Sequence, residues 1–285
     1  MYLEHFGLAQ HPFSLTPNTR FFLKLPSHQQ AFSGIISALR EEGHFSKVIG
    51  EVGTGKTMLC RKVLNALEAH PDKFATAYIP QPILDEDSVM YAIAEELGLE
   101  CASNISYYDL LKTISTHLVQ LAGEKRRLIL FIDEAQAMPE ESLKAVYLLT
   151  QVKLARARRM HVILFGQPEL DELLERNALQ PVQDDIVFSF LLPALDLEGA
   201  RAYVEHRLSR AGYCGPRLFT EEALEALFHA SHGTPRLINI LCNKSLMVAF
   251  GKGDRAISDA HMASAISDTE SSHSEKRWTD RLLGQ

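Results

Sequence analysis

Apolar residues follow two rhythms along this chain. Short runs rich in apolar residues occur at Phe45–Ile49 (FSKVI), Phe74–Ile79 (FATAYI), Leu128–Ile132 (LILFI, apolar throughout), His161–Phe165 (HVILF) and Ile186–Phe190 (IVFSF). A run of four to eight apolar residues closed by Gly or Pro suits a strand covered on both faces. Gly50 closes the first run and Pro80 the second. Between the runs, apolar positions recur every three or four residues, which predicts helices. These cover residues 28–39, the stretch from Lys56 with Leu59, Val63, Leu64 and Leu67 on one face, residues 85–97, residues 107–121 and residues 139–149. Gly98 and Gly123 follow two of them as stop signals.

Strands that alternate with helices predict an α/β fold, a three-layer arrangement with a parallel sheet wrapped on both sides. From Leu197 onward the pattern is helical only, at roughly 197–211, 220–231, 235–249 and 258–267. The organisation expected is therefore a sheet domain over 1–192 with an N-terminal extension broken by Pro12, Pro17 and Pro26. A small all-helical domain over 193–270 and a flexible polar tail over 271–285 follow.

The first strand runs into GEVGTGKT: Gly50, Glu51, Val52, Gly53, Thr54, Gly55, Lys56 and Thr57. A Gly, four free positions and Gly-Lys-Thr between a strand and a helix form a phosphate-holding loop. Glycines let the backbone turn its N–H groups inward, and the helix N-terminus adds partial positive charge. In such a loop Lys56 neutralises the β- and γ-phosphates of ATP and the Thr57 hydroxyl ligates Mg²⁺. The third run ends in Asp133–Glu134. A carboxylate at a neighbouring strand end serves the same Mg²⁺, a role for Asp133, and an adjacent one polarises attacking water, a role for Glu134.

Composition narrows the field. The chain has 285 residues, net charge −7 and 46% hydrophobic residues. The acidic balance weighs against a dedicated nucleic-acid binder. The four cysteines have neither metal nor redox spacing and read as reduced thiols. His229 and His232 lack further ligands at hand, so zinc is not expected there. CNKSL (242–246) lacks the Asp of a guanine-reading motif. The start, MYLEHFGLAQHPF, has no basic-then-apolar signal pattern, and no apolar run reaches the ~18 residues of a spanning helix. A cytoplasmic protein, able to sit peripherally on an inner-membrane partner, is expected.

GEVGTGKT and LILFIDE together resemble the Walker motifs of AAA+ ATPases. The resemblance implies a polar sensor at the tip of a further strand, which Gln167 in HVILFGQPEL matches. It also implies a helical lid carrying a phosphate-facing Arg, which Arg236 in GTPRLIN matches. YLEHFGLAQHPFSLTPNTRFFL (2–23), FIDEAQ, GQPEL and GTPRLIN narrow the resemblance to the ExeA/GspA-type secretion ATPases. It implies ATP and Mg²⁺ as ligands and a nucleotide-dependent homo-oligomer. It also implies work on a type IV (MSHA-like) pilus or secretion machine at the inner membrane. Family members that continue into a membrane helix and a peptidoglycan-binding domain do so beyond the matched region, so those activities do not carry over. One departure stands out. Where the family usually carries an Arg that reaches a neighbour's ATP, this chain has QPVQDDIVFSF with Asp184 and Asp185. Arg156, Arg158, Arg159 and Arg176 are the substitutes at hand. A DNA-associated AAA+ regulator of the transposition type and a non-hydrolysing ATP-gated scaffold are the alternative readings. The tail around Trp278 is a candidate docking peptide.

Overall fold

A computed structural model describes residues 2–41, 43–82, 85–100, 105–151 and 160–269. The basic cluster Arg156–Arg159, Cys101 and the Trp278 tail lie outside the described residues. In chain order the helices are α1 (Tyr2–Phe6), α2 (Pro26–Ala38), α3 (Lys56–Glu68), α4 (Glu86–Glu96), α5 (Tyr107–Gly123) and α6 (Glu140–Thr150). They continue as α7 (Glu169–Leu174), α8 (Gln180–Asp184), α9 (Leu197–Arg210), α10 (Glu221–Ser231), α11 (Pro235–Lys252) and α12 (259–269). The strands are β1 (Phe45–Ile49), β2 (Phe74–Ile79), β3 (Arg127–Ile132), β4 (Met160–Gly166) and β5 (Ile186–Leu191).

The chain divides into two compact units. One holds Pro26–Val52 and Lys56–Pro193; the other holds Met1–Leu25, Gly53–Gly55 and Ala194–Gln285. The first is a parallel five-stranded sheet in the order β2-β3-β4-β1-β5. Side chains on successive strand residues point to opposite faces, and the two faces carry separate cores. Leu128, Leu130, Ile132, Val162 and Leu164 pack into one; Ile129, Phe131, Ile163, Phe165 and Val48 pack into the other. This is why β3 and β4 read as unbroken apolar runs. Helix starts follow ordinary capping: Asp85 accepts from the Ser88 N–H and Ser106 from the Asp109 N–H.

The helical unit is built from α9 to α12 and closes around an apolar centre. Here the structure departs from the expected 1–192 grouping. The N-terminal extension packs into the helical unit, burying Tyr2, Phe6, Leu8, Phe13 and Phe21 among Val204, Leu208, Leu224 and Leu246. Arg207 of α9 holds it in place. Its Nε donates to Pro12 O at 2.5 Å, Nη2 to Ser14 O at 3.1 Å and Nη1 to the Tyr203 hydroxyl at 2.8 Å. The guanidinium also lies 4.8 Å above the Phe21 ring.

Among the described residues, no helix is long and apolar enough to cross a membrane.

Candidate nucleotide site

Strand register brings three loops to one edge of the sheet. Ile49 of β1 pairs with Gly166 of β4, and Ile132 of β3 with Leu164 of β4. The residues that follow are therefore Gly50, Gln167 and Asp133, side by side at the C-terminal edge, where ligands of open α/β sheets bind. The Gly50 N–H donates to Gly166 O at 3.2 Å, locking the first two together.

The glycine loop bends through left-handed backbone at Gly53 (φ 84°) and Gly55 (φ 102°). Only glycine takes such angles without strain. Lys56 is the first residue of α3 and is 5% exposed. Its ammonium donates to Gly50 O at 2.6 Å and Glu51 O at 2.9 Å, inside the bend. Burial lowers its pKa, partly opposed by the charges of Glu134, Asp133, Glu51 and Glu169. A cation held where it is short of solvent is poised for an anionic partner.

Asp133 is buried at 2% exposure. Burial raises its pKa, and hydrogen bonds from Thr57 and from the Glu134 N–H, the latter at 3.1 Å, pull the other way. A hydroxyl and a carboxylate paired in this way form a hard-oxygen donor set, which suits Mg²⁺ better than a softer metal. Tyr78 of β2 reaches the same carboxylate with its hydroxyl at 3.5 Å. Burial, helped by the Asp133 charge, pushes the Tyr78 phenol up to about 12.

Glu134 takes left-handed backbone (φ 54°, ψ 40°). For a residue other than glycine this costs of order 1–3 kcal/mol and clusters at functional sites. Its carboxylate accepts hydrogen bonds from Gln136 Nε2 at 2.7 Å and Gln167 Nε2 at 3.0 Å. Burial would raise its pKa, but these two amides and the Lys56 charge outweigh it and hold the carboxyl below its ordinary value. Gln136 and Tyr78 were not singled out by the sequence. The signal for Gln136 was its place in IDEAQ, two residues beyond Glu134.

Lys56, Thr57, Asp133, Glu134 and Gln167 thus come together within the sheet unit. Arg236, the second residue of α11, lies in the helical unit and is exposed. Its N–H approaches Gly53 O at 3.4 Å, and a Cβ on Gly53 would sit 2.7 Å from the Arg236 Cβ. Asp184 and Asp185 have structural partners. Asp185 Oδ2 meets His44 Nδ1 at 2.8 Å, its carbonyl accepts the Phe45 N–H, and Asp184 accepts from Gln180. Arg176 is exposed and lies 3.6 Å from Glu140.

Solved structures decide the fold. The chain superimposes on the ORC2 protein of Aeropyrum pernix (ADPNP-ADP complexes) with TM-score 0.67 and 16% identity, over 92% of this chain and 72% of that one. It superimposes on Drosophila ORC bound to DNA with TM-score 0.72 and 17% identity, over 93% and 66%. The fold is that of an AAA+ P-loop NTPase. Residues 39–174 match the AAA domain family, a stretch that contains the glycine loop and the acidic pair. The whole chain is also similar to General secretion pathway protein A of Aeromonas hydrophila, at 32% identity over 283 residues, 99% of this chain. The chain spans about half (51%) of that relative's length.

Proposed function

We propose that this AAA+ chain binds ATP with Mg²⁺ and hydrolyses it as an ExeA/GspA-type secretion ATPase. Within that family we favour the type of MshM, the MSHA pilus biogenesis protein. The observation that carries the hydrolytic reading is Glu134: a carboxylate whose charge is favoured by two amides, next to the buried Asp133 with its Thr57 hydrogen bond and the Lys56 ammonium. The 32% identity to General secretion pathway protein A supports the secretion assignment.

Lys56 and the amides of Gly50–Thr57 hold the phosphate chain. Thr57 and Asp133 would hold Mg²⁺, which when bound would neutralise charge on the phosphate oxygens. Glu134 takes a proton from the attacking water as its oxygen bonds to the γ-phosphorus and the bond to the ADP oxygen breaks. Gln167 contacts the γ-phosphate, and Arg236, at the start of α11, is the proposed second sensor residue. Loss of that phosphate removes contacts that favour one arrangement of the chain over another, and this differential binding turns hydrolysis into movement. The output acts on a pilus or secretion component at the cytoplasmic side of the inner membrane, through a nucleotide-dependent homo-oligomer. Glu134→Gln should retain Mg·ATP affinity while kcat falls at least about 100-fold. Wild-type turnover in that variant would remove Glu134 from the reaction.

A further inference from the structure

The two amides that hold Glu134 touch the same oxygen, Oε2. Gln136 is fixed at its other end as well, because its Oε1 accepts the Gln167 backbone N–H at 3.0 Å. A carboxamide has one acceptor end and one donor end. A backbone N–H can meet only the acceptor end, so the donor end of Gln136 is obliged to face Glu134. Gly166 leaves room for this bridge: a Cβ there would sit 3.3 Å from Gln136 Oε1 and 2.7 Å from Leu170 Cδ2.

We propose that Gln136 is a positioning residue for Glu134, tying its carboxylate to the main chain at the tip of β4. The inference rests on the hydrolytic role of Glu134 proposed above and deepens it. With both amides on Oε2, Oε1 is the oxygen presented to water. Its position is set by the β4 tip through two independent links. Gln167 supplies one by its side chain. Gln136 supplies the other from the Gln167 backbone, whatever the Gln167 side chain does. When the Gln167 amide turns to another acceptor, such as a γ-phosphate oxygen, Gln136 keeps the base in place. The left-handed turn at Glu134 folds the chain back far enough for Gln136 to reach both partners.

The sharpest probe is Gln136→Glu. It is nearly isosteric and keeps an acceptor for the Gln167 N–H, but it replaces the donor to Glu134 with a second negative charge. Displacing a catalytic group slightly costs on the order of 10–100-fold in rate. The expected result is a fall in kcat of that size with KM for ATP and affinity for Mg·ADP unchanged. Gln136→Ala, which loses both contacts without adding a charge, should lower kcat in the same way by a smaller amount, again with KM unchanged. An unchanged kcat in Gln136→Glu, or a KM that rises as much as kcat falls, would overturn the proposal. If Glu134→Gln hydrolyses ATP like the wild type, the hydrolytic reading has failed on its own account. The positioning contact is then read from a crystal structure of Gln136→Ala. A Glu134 carboxylate displaced from its place beside the Gln167 amide sustains it, and an unmoved one overturns it.

Discussion

Among the described residues two lysine or arginine side chains are buried, one in each unit, and they do opposite things. Arg207 in the helical unit is 7% exposed and gives every nitrogen of its fork a partner: two carbonyls, a hydroxyl and, on its face, an aromatic ring. Lys56 in the sheet unit is as deeply buried, yet it gives hydrogen bonds to two carbonyls of its own loop and lies in the field of four carboxylates. A planar guanidinium suits a fixed set of neutral acceptors, whereas an ammonium is a compact charge whose pKa yields to its surroundings. Burial alone does not mark a cation as functional. What separates the two is whether the neighbours complete its hydrogen bonds or leave its charge under-solvated.

Three experiments sharpen this contrast. The largest effect belongs to Lys56→Met. Loss of the cation should weaken Mg·ATP binding by at least about 100-fold, the scale of a charge-assisted contact to phosphate, as read by titration calorimetry. The fold should suffer less. Because burial lowers the Lys56 pKa, the charged form costs the folded state, and removing it offsets the donor lost to Gly50 O and Glu51 O, so stability should change little. A loss of stability as large as the loss of binding would erase the contrast.

Arg207→Met comes next. It leaves Pro12 O and Ser14 O buried without their donor, a cost of about 2–5 kcal/mol. Denaturant unfolding should show the drop, and limited proteolysis should find new cuts near Pro12–Ser14. Nucleotide affinity below the unfolding transition should change little. An Arg207 variant that loses affinity at full stability would assign this cation to the site after all.

The smallest effect, in sign rather than size, separates the neighbouring carboxylates. Asp133 lies above its ordinary 3.8, chiefly because it is buried, so its charge costs the fold above that range. Glu134 lies below its ordinary 4.5, despite burial, because Gln136, Gln167 and Lys56 favour its charge, so that charge supports the fold above 4.5. At neutral pH Asp133→Asn should be more stable than wild type and Glu134→Gln less stable. On acidification both differences should shrink. That of Asp133→Asn closes as wild-type Asp133 protonates, complete below 3.8. That of Glu134→Gln closes as pH falls through the depressed pKa of the folded state. Unfolding curves across this range that approach wild type from the same side would contradict the pKa directions.

Much of the sheet unit was legible beforehand. The runs at 128–132 and 161–165 mark β3 and β4 to within one residue at either end, because a parallel strand covered on both faces cannot hide its hydrophobicity. GEVGTGKT and IDE also stand out, since their chemistry needs particular residue types at fixed spacing. The short helices α1, α7 and α8 did not stand out. Five or six residues make too few turns for a 3.6-residue period to register. Gln136 was legible only through its place in IDEAQ, and its role was hidden for another reason. Its role depends on the left-handed backbone at Glu134 and on the neighbouring tip of β4, and neither is encoded at position 136.

The sequence by itself determined the alternation of strands and helices, the phosphate loop and the acidic pair, all of which rest on local pattern. Only the tertiary structure decided that the N-terminal segment packs with the helices far along the chain, that Arg207 holds it there, and that two glutamines converge on one oxygen of Glu134. The physical reason is that hydrophobic burial is non-directional and long-range in sequence. Tyr2, Phe6, Phe13 and Phe21 announce that they will be buried, but the surface that buries them is known only once the chain has folded.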